Sequence, residues 1–282
     1  MTGPSAIEVG DRWALRFGDW SAEVDPRFGA RICAFSLAGS NILSGPEVDP
    51  ANFGSTFWTS PQSDWGWPPI PEIDHRPYTV VESESGLVCC GSLASKLGVI
   101  VTKRFHVLPR QNCLKVEYEI SNQSSETLRL APWEISRVRG GLTFFATGEA
   151  RYPMPNVVEL AVEDIGGVTW FEYDRAKIPV DQKLFAHSAR GWIAHVEGEH
   201  ALIKEFEPIG VDRQAPGEAV VELFASGERD YIEIEEQGPY GKIGPWKSSA
   251  WQVLWRLRAI PKGLSVRPGS ADLVRWVEDQ LT

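Results

Sequence analysis

Apolar and polar residues alternate with a period of two along most of this chain, a pattern that predicts half-buried β-strands. Leu114, Val116, Tyr118 and Ile120 alternate with Lys115, Glu117, Glu119 and Ser121. Trp251, Val253, Trp255 and Leu257 alternate with Gln252, Leu254, Arg256 and Arg258, giving one strongly apolar face. Similar runs lie near 13–17, 30–37, 78–82, 87–91, 99–107, 128–138, 142–146, 157–162, 168–173, 191–196, 201–206, 219–225 and 231–235. Gly, Pro, Asn and Asp punctuate them, as at Gly45-Pro46 and Arg139-Gly140-Gly141. The count is about fifteen strands, too many for an immunoglobulin-sized sandwich or one open sheet, so two stacked sheets are expected. One helix is predicted, at the C-terminus. Ser270 would cap it, and Leu273, Val274, Val277 and Leu281 would form its apolar stripe. The chain shows no repeat and no linker, so residues 1–282 read as a single all-β domain.

Residues 52–77 break the alternation. They hold Trp58, Trp65 and Trp67 together with Pro61, Pro68, Pro69, Pro71 and Pro77. A long segment without strand periodicity is commonly a functional loop or disordered, and the aromatic content argues against disorder. An ordered loop folded over one end or face of a sheet is expected.

Composition narrows the function. The 282 residues carry 38 acidic and 28 basic side chains, a formal net charge of −10. That excess repels phosphate backbones and anionic lipid surfaces, which disfavours nucleic-acid and membrane partners. No apolar run reaches the length of a membrane span, and Met1–Arg16 lacks a signal-peptide core, so a cytoplasmic location is expected. Cys33, Cys89, Cys90 and Cys113 show no zinc spacing and read as reduced structural thiols. No phosphate-cradling Gly-rich loop, no G-x-S-x-G and no H-E-x-x-H is present. No cofactor and no metal are expected. Nothing in the sequence sets the oligomeric state.

Three constellations carry candidate chemistry. In Tyr231-Ile232-Glu233-Ile234-Glu235, a strand would put Glu233 and Glu235 on one face. Two crowded carboxylates repel, which raises at least one pKa toward that of a general base. In Trp133-Glu134-Ile135-Ser136-Arg137, Trp133 and Arg137 share a face while Glu134 takes the other. An indole beside a guanidinium can hold a sugar by stacking and hydrogen bonding. In the Trp/Pro segment, Gln62 and Asp64 offer hydroxyl partners between the rings of Trp58, Trp65 and Trp67. Of the five histidines, His75, His106, His187, His195 and His200, His75 is nearest this segment in sequence. Each constellation also has a plain structural reading, as a solvated outer face, a core Trp with a surface Arg, or a loop packing its own small core.

Three stretches in order resemble the galactose-mutarotase-like superfamily, in particular a bacterial branch related to the aldose 1-epimerases. They are Asp25–Ile32 followed by Gly39-Ser40-Asn41-Ile42-Leu43; Trp58 to Pro69 together with Ala131–Arg137; and Ile234-Glu235-Glu236-Gln237. The second is similar to the family's W-x-x-P-Q…W-P-P and A-P-W-E-I patterns. The third is similar to its L-E-x-Q segment, which holds a general base. The resemblance runs from about Asp25 to Leu257. It implies a two-sheet β-supersandwich with a sugar site on one concave face and makes Glu235 the candidate base. The chain departs from the family where a His acts as general acid. Here Asn122-Gln123-Ser124-Ser125-Glu126 leads to Trp133-Glu134 with no His.

The expected function is therefore carbohydrate binding with aldose-1-epimerase-like chemistry. Glu235 would be catalytic, and Trp58, Gln62, Trp67, Trp133, Glu134, Arg137, Glu233 and His75 would bind substrate. One alternative is a non-catalytic carbohydrate-binding module without the acid His. Another is hydrolytic or lyase chemistry on a Glu134–Glu235 pair, which requires both groups in one cleft.

Overall fold

Alternation of the kind seen at Leu114–Ser121 buries one side of each strand and leaves the other to solvent, so the chain must stack its sheets to hide the apolar sides. In the computed structural model, which describes residues 5–83, 86–151 and 157–281, it does so with one sheet surface, antiparallel except where Val158–Glu159 runs parallel to Gln182-Lys183, that folds back on itself. Twenty-one strands take part among the described residues. The front layer runs from Arg31–Leu37 through Ser55–Ser60, Leu128–Val138, Ile232–Gln237 and Val221–Ala225 to the first half of Gln182–Glu197. The second half of that last strand turns into the back layer. There it pairs with Leu142–Arg151 and with His200–Phe206. Ser248–Ala259, Cys113–Asn122 and Val99–Leu108 continue the back layer.

The two expected sheets are thus joined through one 16-residue strand. Apolar side chains fill the space between the layers. Phe57 stacks on Tyr118 at 4.3 Å, and Phe35 meets Trp255 edge-on at 5.6 Å. The C-terminal helix, Ala271–Glu278, is the expected one. The Ser270 hydroxyl accepts the Leu273 N–H, and Leu273 and Val277 are buried in a second apolar cluster with Trp170 and Trp192. No helix among the described residues is long and apolar enough to cross a membrane. The four cysteines are free thiols, and Cys33, Cys89 and Cys113 are buried.

Two expectations need correction. Residues 52–77 are not one loop. Ser55–Ser60 is a central strand, hydrogen-bonded to Leu128–Val138, and all six of its residues are buried. A strand covered on both faces has no polar side, so alternation cannot reveal it. Phe57 faces the layer interior, while Thr56 and Trp58 face a cover made by the rest of the segment. That cover includes a second, one-turn helix, Pro71–Asp74, where a single helix was expected. Gly29 lets it sit close. Gly29 has φ +68°, and a Cβ there would lie 1.9 Å from the Asp74 carbonyl oxygen.

The strand expected at 191–196 begins instead at Gln182. Ala189 and Arg190 are exposed and Gly191 has φ +65°, which interrupts the pattern midway while the backbone continues.

A charged group lies sealed between the layers. Lys204 pairs with Glu134 at 2.7 Å and with Glu236, and all three are fully buried. Tyr118 and Trp255 also donate to Glu134. Burial drives Glu236 far above the ordinary carboxylate range. For Glu134, the Lys204 charge and donated hydrogen bonds outweigh burial and lower its pKa. Two carboxyl groups thus share one ammonium.

Candidate functional site

Side chains at paired positions of neighbouring strands point to the same face. The register Trp58–Trp133–Gln237, Ile135–Glu235–Glu222 and Arg137–Glu233–Phe224 therefore gathers these residues on the outer, concave side of the front layer. Lys183 lies opposite Phe224 and joins them. A cleft of about 500 Å³ opens there, lined in part by Trp58, Gln62, Trp67, Trp133, Lys183, Glu218 and Glu233. A groove of about 550 Å³ on the back layer has a single Trp and no basic side chain in its lining. Convergent chemistry therefore favours the cleft.

The rings are fixed by their N–H groups. Trp58 donates to Asp74 at 2.8 Å, and Trp133 donates to Glu235 at 2.9 Å. The two rings meet edge-on at 5.3 Å, and Trp67 meets Trp58 edge-on at 6.1 Å. Trp133 is 1% exposed and Trp58 6%, so they form the floor, whereas Trp67 at 65% offers an open face at the rim. Asp74 also accepts from Thr56 and pairs with Arg31, whose guanidinium lies between Phe28 and Phe53. Burial opposes ionisation of Asp74, but Arg31 and the Trp58 bond outweigh it and hold its pKa low.

Beneath the floor, Lys183 pairs with Glu222 at 2.7 Å and with Glu235 at 3.2 Å. Its ammonium also lies 5.3 Å from the centre of the Trp133 ring. Gln237 donates to Glu222 at 2.8 Å. Burial pushes Glu235 up to about 8 against the pull of Lys183, helped by Glu222 and Glu233. Burial likewise pushes Glu222 up to about 7, against Lys183 and with Glu218. Burial would discharge Lys183, but the two carboxylates overcome it and hold the ammonium charged. This is the electrostatic crowding expected of the Glu233–Glu235 face, with Glu222 as the closer partner.

These raised carboxyl pKa values set a pH dependence. The folded chain keeps protons on Glu222 and Glu235 that the unfolded chain loses above an ordinary carboxyl pKa of about 4.3. Their contribution is complete below that value and is lost as pH rises through about 7 and about 8. Chemical denaturation at a series of pH values should show stability falling across this window, and Glu222→Gln should flatten the fall. A wild-type profile that rises across the window would contradict the assignment.

The structure places the other sequence candidates as follows. Trp58, Gln62, Trp67, Trp133 and Glu233 line the cleft. Glu235 lies directly beneath it, fully buried under Trp133 and Lys183. Arg137 is on the cleft face but fully buried. Its Nε donates to Glu233 at 2.8 Å and its guanidinium lies 5.5 Å from the Trp58 ring centre. It therefore holds Glu233 in place and is not among the residues lining the cleft.

Glu134 is a correction. It points between the layers to Lys204, because it is one residue out of phase with Trp133 and Ile135. A Glu134–Glu235 pair across one cleft is thereby excluded. His75 is another. It is exposed at the end of the one-turn helix beside Asp74 and Phe28, and it does not line the cleft.

Three residues were missed: Lys183, Glu222 and Glu218. Lys183 belongs to the half-strand hidden by the break at Gly191. Its signal was a lysine in phase with Phe185, with apolar Leu184 and Ala186 on the opposite phase. Glu222 was legible as a lone carboxylate in phase with Val220 and Phe224. Glu218 follows a turn, and its carboxylate accepts the Gln62 N–H at 2.8 Å, a contact no local pattern encodes.

No protein-family model matches this chain, and no curated protein matches it in sequence. Solved structures do match over most of its length, and they show that its fold is like that of galactose mutarotase-like proteins. A galactose mutarotase-like protein from Clostridium acetobutylicum superposes with a TM-score of 0.59 at 12% identity, covering 91% of this chain and 98% of that one. Galactose 1-epimerase from Lactobacillus acidophilus NCFM gives 0.55 at 13% identity, covering 92% and 99%. A TPR-domain containing protein from Parabacteroides distasonis gives 0.63 at 11% identity. The match covers 91% of this chain and 49% of that one, so here the chain spans about half the neighbour's length. At these identities the likeness is one of fold.

Proposed function

We propose that this chain binds an aldose in the front-layer cleft and exchanges its anomers, as an aldose-1-epimerase-type isomerase. The observation that carries this reading is the pairing of Lys183 with Glu235, at 3.2 Å, beneath a cleft walled by indoles. Mutarotation moves a proton off the anomeric hydroxyl and another onto the ring oxygen. Both oxygens are borne by one carbon, so the acid and base that serve them must be neighbours.

Glu235 is the base in its ionised form, which grows as pH rises toward about 8, and Lys183 is the acid, in the role left open by the missing His. Their protonation is linked. A proton arriving on Glu235 removes a negative charge that holds the Lys183 ammonium charged, so Lys183 becomes the better donor in the same step. The O1–H bond breaks as Glu235 gains its proton, the ring C–O bond opens as Lys183 gives one up, and closure reverses both transfers. Trp67 stacks on the sugar at the rim, and Gln62 and Glu233 bind hydroxyls.

A second reading is binding without turnover. The full burial of Glu235 behind Lys183 favours it.

Anomeric exchange measured by NMR on neutral, acidic and phosphorylated aldoses separates the two. Isomerase action gives exchange above the spontaneous rate for at least one sugar, falling about 10²–10⁴-fold in Lys183→Met while sugar binding persists. Binding alone gives line broadening with no faster exchange in the wild type. A Lys183→Met variant as fast as the wild type would remove Lys183 from the acid role.

A further inference from the structure

One strand of the back layer has a neighbour on only one side along part of its length. We propose that the chain forms a two-fold dimer in which residues 248–252 pair antiparallel with the same segment of a second copy, extending the back layer across the axis.

Ser248–Ala259 runs between Cys113–Asn122 and His200–Phe206. Cys113–Asn122 pairs with it from Ser248 onward, but His200–Phe206 leaves it at Phe206, opposite Val253. Among the described residues no strand lies on that side of residues 248–252. Alternate residues of an antiparallel strand turn their N–H and C=O to opposite sides. The Asn122 N–H donates to the Lys247 carbonyl, so Ser249 and Trp251 also bond toward Cys113–Asn122. Ser248, Ala250 and Gln252 turn their backbone groups to the open side, where none of them meets a backbone partner among the described residues.

Strand edges are ordinarily blunted by charge, proline or a bulge. Ser248, Ser249 and Ala250 are exposed and uncharged, and the ladder beside them is unbroken. The edge also matches itself. With Ala250 on the two-fold axis, Ser248 faces Gln252 of the second copy, and every outward N–H and C=O of the three residues is paired.

The flanks are complementary in the same register. Each copy's turn at residues 244–247 reaches the point where the other copy's His200–Phe206 ends. A groove of about 550 Å³ opens there, lined in part by Glu205, Phe206, Glu207, Pro208 and Leu254. Trp246 is 68% exposed and has φ +59°, a left-handed conformation that glycine favours. A bulky apolar ring held there is costly on both counts, and burial in the second copy's groove removes the exposure. Lys247 and Glu207 are exposed and form no ion pair among the described residues, so they bring opposite charges to the contact.

Sedimentation of the full chain, with amide hydrogen exchange read at Ser248, Ala250 and Gln252, tests this. The wild type should sediment as a dimer in which these three amides are protected. Ala250→Lys sets two ammonium groups opposite each other across the axis, which opposes pairing. It should raise the dissociation constant about tenfold or more and release the three amides, with the fold checked by circular dichroism. Trp246→Gly should raise the constant about tenfold as well, as the loss of a buried Trp anchor does. Its monomer should be at least as stable to heat as that of the wild type, because glycine relieves the left-handed turn. The cleft lies on the front layer, so sugar binding and exchange should be unchanged in both variants.

A wild type that stays monomeric at about 0.1 mM, a dimer whose three amides exchange as fast as in Ala250→Lys, or a dissociation constant unchanged by Ala250→Lys would each overturn the pairing. A constant unchanged in Trp246→Gly would overturn the seat assigned to Trp246.

Discussion

Glu235→Gln is expected to lower anomeric exchange by about 10²–10⁴-fold, the usual contribution of a positioned general base. The substitution keeps the side-chain shape and leaves an amide oxygen able to accept from Trp133 Nε1, now 2.9 Å from the carboxylate. Binding should therefore survive, so the loss should appear in the maximal rate and not in affinity. The variant also removes one of the two carboxylates that keep Lys183 charged. The residual rate should consequently follow pH differently from that of the wild type. NMR exchange rates and titrated affinities, measured on the same sugar, separate these effects. A variant that exchanges at the wild-type rate would place the base elsewhere, with Glu218 and Glu233 among the carboxylates that line the cleft.

Lys204→Met is expected to destabilise the chain by about 3–5 kcal/mol, the range seen when one partner of a buried ion pair is removed. Met retains much of the lysine stem, so the loss reports the ammonium more than a cavity. Glu134 and Glu236 would then face each other between the layers with no counter-charge. A total stability of about 5–15 kcal/mol is typical of folded domains, so the change should move a urea transition strongly. Two controls distinguish charge from packing. The loss should shrink as pH falls below the ordinary carboxyl range and through the lowered pKa of Glu134, where the carboxylate that Lys204 holds becomes neutral. Adding Glu236→Leu should recover part of the loss, because among the described residues Glu236 has no side-chain partner other than Lys204. A loss below about 1 kcal/mol, as for an exposed pair, would mean that water reaches the group.

Much of this molecule was legible in one dimension. Strands with one wet face announce themselves, and Cys113–Asn122 and Ser248–Ala259 were read close to their true bounds. The C-terminal helix was legible because its cap and stripe are local. The shared face of Trp133 and Arg137, and that of Glu233 and Glu235, followed from the two-residue period of a strand once the strand was known.

Tertiary structure decided what no period encodes. Ser55–Ser60 is covered on both sides, which erases alternation, and the cover is supplied by residues up to Asp74. Glu134 and Glu235 are both glutamates on strands of one sheet. Only the register between the strands sends the first to Lys204 between the layers and the second to Lys183 under the cleft. Lys183 and Glu235 are 52 positions apart in the chain, and their contact exists because Val221–Ala225 inserts between their strands and brings Glu222 into line. The sequence by itself determined which residues could carry charge or stack. Their pKa values and partners depend on burial and on distances of a few ångströms, which arise only when strands far apart in the chain pair.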